Sequence, residues 1–196
     1  MRFSVNLTIL LSIMLISVGA IASPTYKSNY VGQEKRLIKS LSDDDIQQLK
    51  HGKGWGLAKA AELNGMPGPS HILQMKNKIS LTKEQEKEVR SLFEDMQLKA
   101  IPLGNKLIDL ERHLNDSFSN KTITKKRLIQ QLNAISDVRK KLRYVHLVTH
   151  LMTPDILTPQ QIDQYNHLRG YNAGDPCENI PEGHDVEMWK KHNGCQ

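Results

Sequence analysis

Three groups of side chains have the types and spacing for chemistry. His146 and His150 lie four residues apart. On a helix that H-x-x-x-H spacing puts both imidazoles on one face, where they can grip one divalent or copper ion. The alternative is a pair of boundary histidines satisfied by hydrogen bonds or a nearby carboxylate. The glutamate of H-E-x-x-H is absent, so the pair does not suggest hydrolysis. Cys177 and Cys195 enclose His184 and His192. In an oxidising compartment two such cysteines pair, closing a loop worth ~3 kcal/mol in the chain-entropy model. The competing reading is a Cys2His2 metal site, but the tail has neither a C-x-x-C pair nor an H-x-x-x-H clip. The third group is cationic: Lys125, Lys126 and Arg127, then Arg139, Lys140, Lys141 and Arg143. Its readings are a solvated face paired in part with neighbouring acids, or an electropositive surface for acidic polypeptide or anionic lipid.

Enzyme chemistry has no foothold. There is no G-x-S-x-G and no phosphate-binding glycine loop. Gly52-Lys53-Gly54-Trp55-Gly56 is glycine-rich but lacks the Walker length and the following Ser/Thr, so it reads as a flexible hinge.

Long helices must position these groups. Thr82 and Gln85 form a capping box. Val89, Leu92, Met96, Ala100, Leu103, Leu107, Leu110 and Leu114 then recur at spacings of three and four, one helical stripe. Pro102 interrupts it and predicts a kink near residues 97–101. Residues 115–122 suit a turn. Thr124 caps a second helix whose stripe runs from Leu128 through Leu132, Ile135, Val138, Leu142, Val145 and Thr149 to Met152, before Pro154. Thr158 and Pro159 open a third helix that stops at Gly170. Shorter helices are predicted over 33–39, from Ser42 to Gly52, over 57–63 and over 71–77. No useful strand-period run appears. The fold class is therefore all-α: a long antiparallel hairpin with short flanking helices and no sheet. Two long helices cannot hide wide apolar stripes alone, which predicts cover by the flanking helices, by a second copy as a homodimer, or by both. With the hairpin turn near Lys121, Met96 and Asp95 fall opposite the histidine pair as third and fourth ligands; His71 and His113 are weaker candidates. The arms differ in charge. Lys83 to Asp116 has eight acids against six bases, whereas Lys121 to Arg143 has eight bases against Asp137 alone.

The chain has 196 residues, 38% hydrophobic, 5% aromatic and 24% charged, with formal net charge +6. That allows one ordinary domain, or one domain with arms, and disfavours an aromatic-rich sandwich or barrel. Residues 1–22 read as a signal peptide: Arg2, a twelve-residue apolar run from Leu7 to Val18, then Ala20-Ile21-Ala22 with cleavage after Ala22. The run is short for a membrane span, which takes ~20 residues. Beyond it the chain divides into an extension over 23–79, the hairpin over 80–171 and a tail over 172–196. Export to a bacterial periplasm removes nucleic acid as a partner. No transmembrane segment is expected in the mature chain.

Leu81-Thr82-Lys83-Glu84-Gln85 and Leu157-Thr158-Pro159-Gln160-Gln161 are two copies of an L-T-x-x-Q element, each opening a helix, and they bracket the hairpin. The chain thereby resembles the Spy/CpxP group of bacterial periplasmic proteins, which includes zinc-resistance-associated proteins and heavy-metal sensors. The resemblance covers residues 80–171; the stretch from His51 to His71 and the cysteine-bearing tail lie outside it. It implies a helical hairpin that dimerises into a curved cradle. It implies either ATP-independent holding of unfolded clients or metal binding in envelope stress, with a membrane-bound regulator as a further partner. The histidine pair resembles the paired-histidine element of the sensors.

Overall fold

A computed structural model describes residues 26–171, 176–178, 180 and 183–195. The proposed signal peptide and its cleavage site lie outside the described residues. Seven α-helices are present among them and no strand: α1 (Asp43–Lys50), α2 (Lys59–Glu62), α3 (Pro69–Gln74), α4 (Lys83–Ser119), α5 (Lys125–Met152), α6 (Pro159–Leu168) and α7 (Val186–Asn193). The all-α hairpin architecture is as the sequence predicts.

The long arms form for local reasons first. At α4 the Thr82 hydroxyl accepts from the Gln85 amide and the Gln85 side chain accepts from the Thr82 amide, with Glu84 and Glu86 in the first turn. The acids complement the positive helix end. Pro102 lies inside α4, yet the helix runs unbroken to Ser119. Proline removes the amide that would bond the Leu98 carbonyl. Leu98 and Pro102 are both exposed, so water can serve that group. At the tip, Lys121 takes φ 55° and the Thr122 and Ile123 amides bond back to the Ser117 carbonyl.

Two hydrophobic clusters hold the arms. The larger joins Ile38, Leu41 and Leu49 of the extension to Met96, Ala100 and Leu107 of α4 and to Ile135, Val138 and Leu142 of α5. Each buried Leu, Ile, Val or Met side chain contributes ~1.5–3 kcal/mol. The short segments therefore do cover the hairpin. The smaller cluster, Ile72, Ile79, Val89, Leu157 and Tyr165, closes its open end.

Several expectations are corrected. The helix predicted over 33–39 is one 3-10 turn, Gln33–Lys35. Arg36 then turns extended so that Ile38 and Leu41 reach the core. The predicted 57–63 helix shrinks to α2, and the one over 71–77 shifts to α3, which begins early because Pro69 suits a first turn. Leu132 and Met152 of the predicted α5 stripe are exposed. The buried face passes instead through Ile135, Val138, Leu142, His146, Thr149 and His150. The predicted stripe recurs more often than every 3.6 residues, so it drifts around a straight helix.

The two L-T-x-x-Q elements, remote in sequence, meet. Gln85 Nε2 donates to Gln161 Oε1 (2.9 Å) and Gln161 Nε2 donates to Gln85 Oε1 (3.0 Å). Gln85 also donates to the Ile156 carbonyl and Gln161 to the Ser80 carbonyl, while each side chain caps its own helix. Every donor and acceptor of both amides is used. Gln85→Ala and Gln161→Ala should each destabilise the chain. In a double-mutant cycle by urea unfolding their coupling should be roughly 1–2 kcal/mol; additive losses would show that the amides do not act as a pair.

Candidate binding surface on the second long helix

The cations of α5 fall into two separate groups. Lys125, Lys126 and Arg127 occupy its first turn at the hairpin tip, all exposed. Arg127 donates to the Thr122 carbonyl at 3.1 Å. Three bases at the positive end of a helix oppose its dipole, so they weaken that end rather than stabilise it. Arg139, Lys140, Lys141 and Arg143 lie ~18–25 Å further along, also exposed. Asp137 pairs with Lys140 (3.0 Å) and Lys141 (2.7 Å), and these ion pairs hold its carboxyl below the usual range.

Arg139 stacks over Trp55, 5.1 Å from the ring centre. The Trp55 indole donates to Asp45 Oδ1 at 2.8 Å. Burial pushes the Asp45 carboxyl up, but bonds from Ser42 and Trp55 outweigh this and keep it low. The glycine-rich segment is thus not a free hinge, as the sequence suggested. A side chain at Gly52 would meet Ile101 at 3.1 Å, and Trp55 holds φ 42°. Such a left-handed backbone costs a non-glycine residue ~1–3 kcal/mol.

Two grooves open on this stretch, one on each side of Tyr144. One, about 690 Å³, lies between Trp55, Leu57 and Leu147, with Arg139 and Arg143 on its rim. The other, about 540 Å³, lies between Leu98, Pro102, Leu103 and Val145, rimmed by Lys99 and Lys141. Lys140 borders both. Leu98 is 73% exposed and Tyr144 66%. Sequence reasoning found the cations of α5 but missed Lys99, Trp55, Tyr144 and Leu98. The one available signal was an aromatic and a leucine at positions where the helical stripe predicts a polar face.

His146 and His150 are both buried. His150 Nδ1 lies 2.8 Å from the Met66 carbonyl, and its ring fills the space above Gly68. His146 Nε2 is buried with no hydrogen-bond partner. Burial, then the neighbouring His150, pushes the His146 imidazole down to about 4. Of the predicted third and fourth ligands, Asp95 is exposed and does not join the pair, and Met96 belongs to the hydrophobic core. His71 bonds Glu62 instead (3.2 Å), and His113 is exposed. Among the described residues no group of three or more His, Cys, Asp or Glu side chains could hold a metal ion.

Glu62 is a second polar centre that the sequence did not suggest. Its Oε1 accepts from Tyr171 (2.8 Å), Tyr165 (3.3 Å) and Arg169 (2.5 Å). With His71 as the strongest contributor, these bonds hold its carboxyl well below the usual range despite burial. The cluster ties α2 to α6.

Cys177 and Cys195 form a disulfide with Cα atoms 5.6 Å apart. This removes both thiolates from the alternative Cys2His2 site. The Trp189 indole donates to the Pro176 carbonyl, and His184 meets its ring edge-on at 4.9 Å. Those contacts lie inside the tail. No family model matches the chain, and no curated protein or solved structure matches it either. Among the described residues no helix is long and apolar enough to cross a membrane.

Proposed function

We propose that this is a periplasmic, ATP-independent chaperone of the Spy/CpxP type, which holds non-native clients on the cationic face of α5. The observation that supports it is the placement of exposed Leu98 and Tyr144 among Lys99, Arg139, Lys140, Lys141 and Arg143. Cations attract an acidic or unfolded chain from a distance. A small apolar patch then holds it weakly enough for release. The disulfide supports an exported protein, as does the apolar run at Leu7 to Val18. In this reading a second copy pairs with the hairpin and enlarges the surface.

Suppression of aggregation of a denatured client, without nucleotide, tests the reading. Arg139→Glu, Lys140→Glu and Lys141→Glu together should reduce capture about tenfold at low salt. The loss should shrink as salt rises, because exposed charges are screened over ~10 Å at 0.1 M. Equal suppression by the variant would remove the cationic mechanism.

The buried, unpartnered Nε2 of His146 favours a second reading, a periplasmic heavy-metal binding or sensing protein. Calorimetry with zinc, copper and nickel should then show saturable binding that His146→Ala abolishes. No heat, or equal heat from the variant, would sink it.

A further inference from the structure

We infer that the two grooves beside Tyr144 form one docking surface for an acidic polypeptide segment carrying two bulky apolar side chains, one seated on each side of the Tyr144 ridge. This rests on the capture reading above and narrows it to a partner chemistry and a site.

The surface has the anatomy of a recognition site rather than of a solvated helix face. Its lining is largely apolar: Trp55, Leu57 and Leu147 on one side, Leu98, Leu103 and Val145 on the other. Both volumes are of the size of ligand clefts, ~300–1,000 Å³, though both grooves lie open to solvent. The rims carry five cations, Lys99, Arg139, Lys140, Lys141 and Arg143. Against them stands Asp137, already bonded to Lys140 and Lys141. Among the described residues neither Lys99 nor Arg143 has a carboxylate within ion-pair distance. Charge complementarity therefore selects an acidic occupant.

The apolar lining selects bulky side chains. Aromatic and arginine groups in such settings carry most of the binding energy at protein interfaces. Trp55 is also prepared for the task. Its ring is fixed on one edge by Asp45 and on one face by Arg139, so little side-chain freedom is lost when a guest lands on it. Two open grooves flanking Tyr144 suit an extended chain that lays one side chain on each side of it.

The chain has two tryptophans, Trp55 and Trp189. In the full chain carrying Trp189→Phe, indole emission reports Trp55 alone. Three synthetic peptides are titrated: one of glutamates with two spaced phenylalanines, one with each glutamate changed to glutamine, and one with each phenylalanine changed to serine. The first should shift Trp55 emission saturably, and the other two should bind at least about tenfold more weakly. Tyr144→Ser and Leu98→Ser should each weaken the first peptide about tenfold with helical circular dichroism unchanged, since both side chains are exposed.

Equal binding of the serine peptide would reduce the surface to bulk charge and overturn the inference. So would unchanged affinity in the two variants, or a Trp55 shift raised by phosphatidylglycerol vesicles and not by peptide. Client aggregation is scored in parallel. Peptide capture by an unaltered chain that suppresses no aggregation keeps the docking surface and removes the chaperone reading. Suppression that survives both substitutions together, without peptide binding, does the reverse.

Discussion

Gly104→Ala should lower stability by about 2 kcal/mol, although alanine favours a helix by ~1 kcal/mol over glycine. Gly104 is buried within α4, where the carboxyl end of α1 lies directly on the helix. An added Cβ would come 2.9 Å from the Leu49 carbonyl carbon and would overlap its oxygen. The obstacle is backbone, which cannot rotate away as a flexible side chain would. Leu49 is also part of the main core, so moving α1 outward loosens the cluster it shares with Met96 and Ala100. The melting temperature should fall by roughly 4–8 °C for a chain of this size. Gly54→Ala, at a glycine with open space around it, is the control and should be near neutral. A Gly104→Ala variant that melts at or above the wild type would show that α1 does not pack as closely as described.

Acidification should destabilise the protein through His146 before most carboxylates titrate. Its imidazole has an ordinary value of 6.5 and is pushed down to about 4 in the fold. The folded state therefore binds fewer protons than the unfolded state between those values. Stability is full above about pH 6.5 and falls as pH drops toward 4, by roughly 3 kcal/mol in all. Glu62 acts in a different window. Its carboxyl is held low, so its stabilising bonds weaken only below the unfolded carboxylate value of ~4.3. Urea unfolding at pH 7, 6, 5 and 4.5 should show a steady decline in wild type. His146→Leu should flatten it, and should cost little at pH 7 because Nε2 has no partner to lose. A decline of the same slope in the variant would assign the acid sensitivity elsewhere.

How much of this could be read from residue order differs by element. Local rules placed the long helices well. The hydroxyl caps at Thr82, Thr124 and Thr158 depend only on residues three positions onward, and all three are present. The short helices were harder. α2 and α3 have too few hydrogen bonds to be decided by their own sequence, and packing set their limits. Trp55 shows the same point at the candidate site. Its glycine neighbours indicate freedom, whereas Asp45 and Arg139, brought from two different helices, take that freedom away.

Periodicity, caps and turn residues determined that the chain is helical, that two long rods fold back near Lys121, and that one rod is cationic. These follow from interactions within a few positions along the chain, where spacing alone fixes which side chains are neighbours. The predicted turn over 115–122 is shorter in the structure, because α4 continues to Ser119. Only the tertiary structure decided that the two L-T-x-x-Q glutamines clasp one another, that His146 is sealed away from water while Asp95 is not, and that Tyr144 stands between two grooves. Each depends on which residues of separate helices come within contact distance. That is set by the burial of the shared core and by close approaches such as Gly104 on Leu49, and no single helix encodes it.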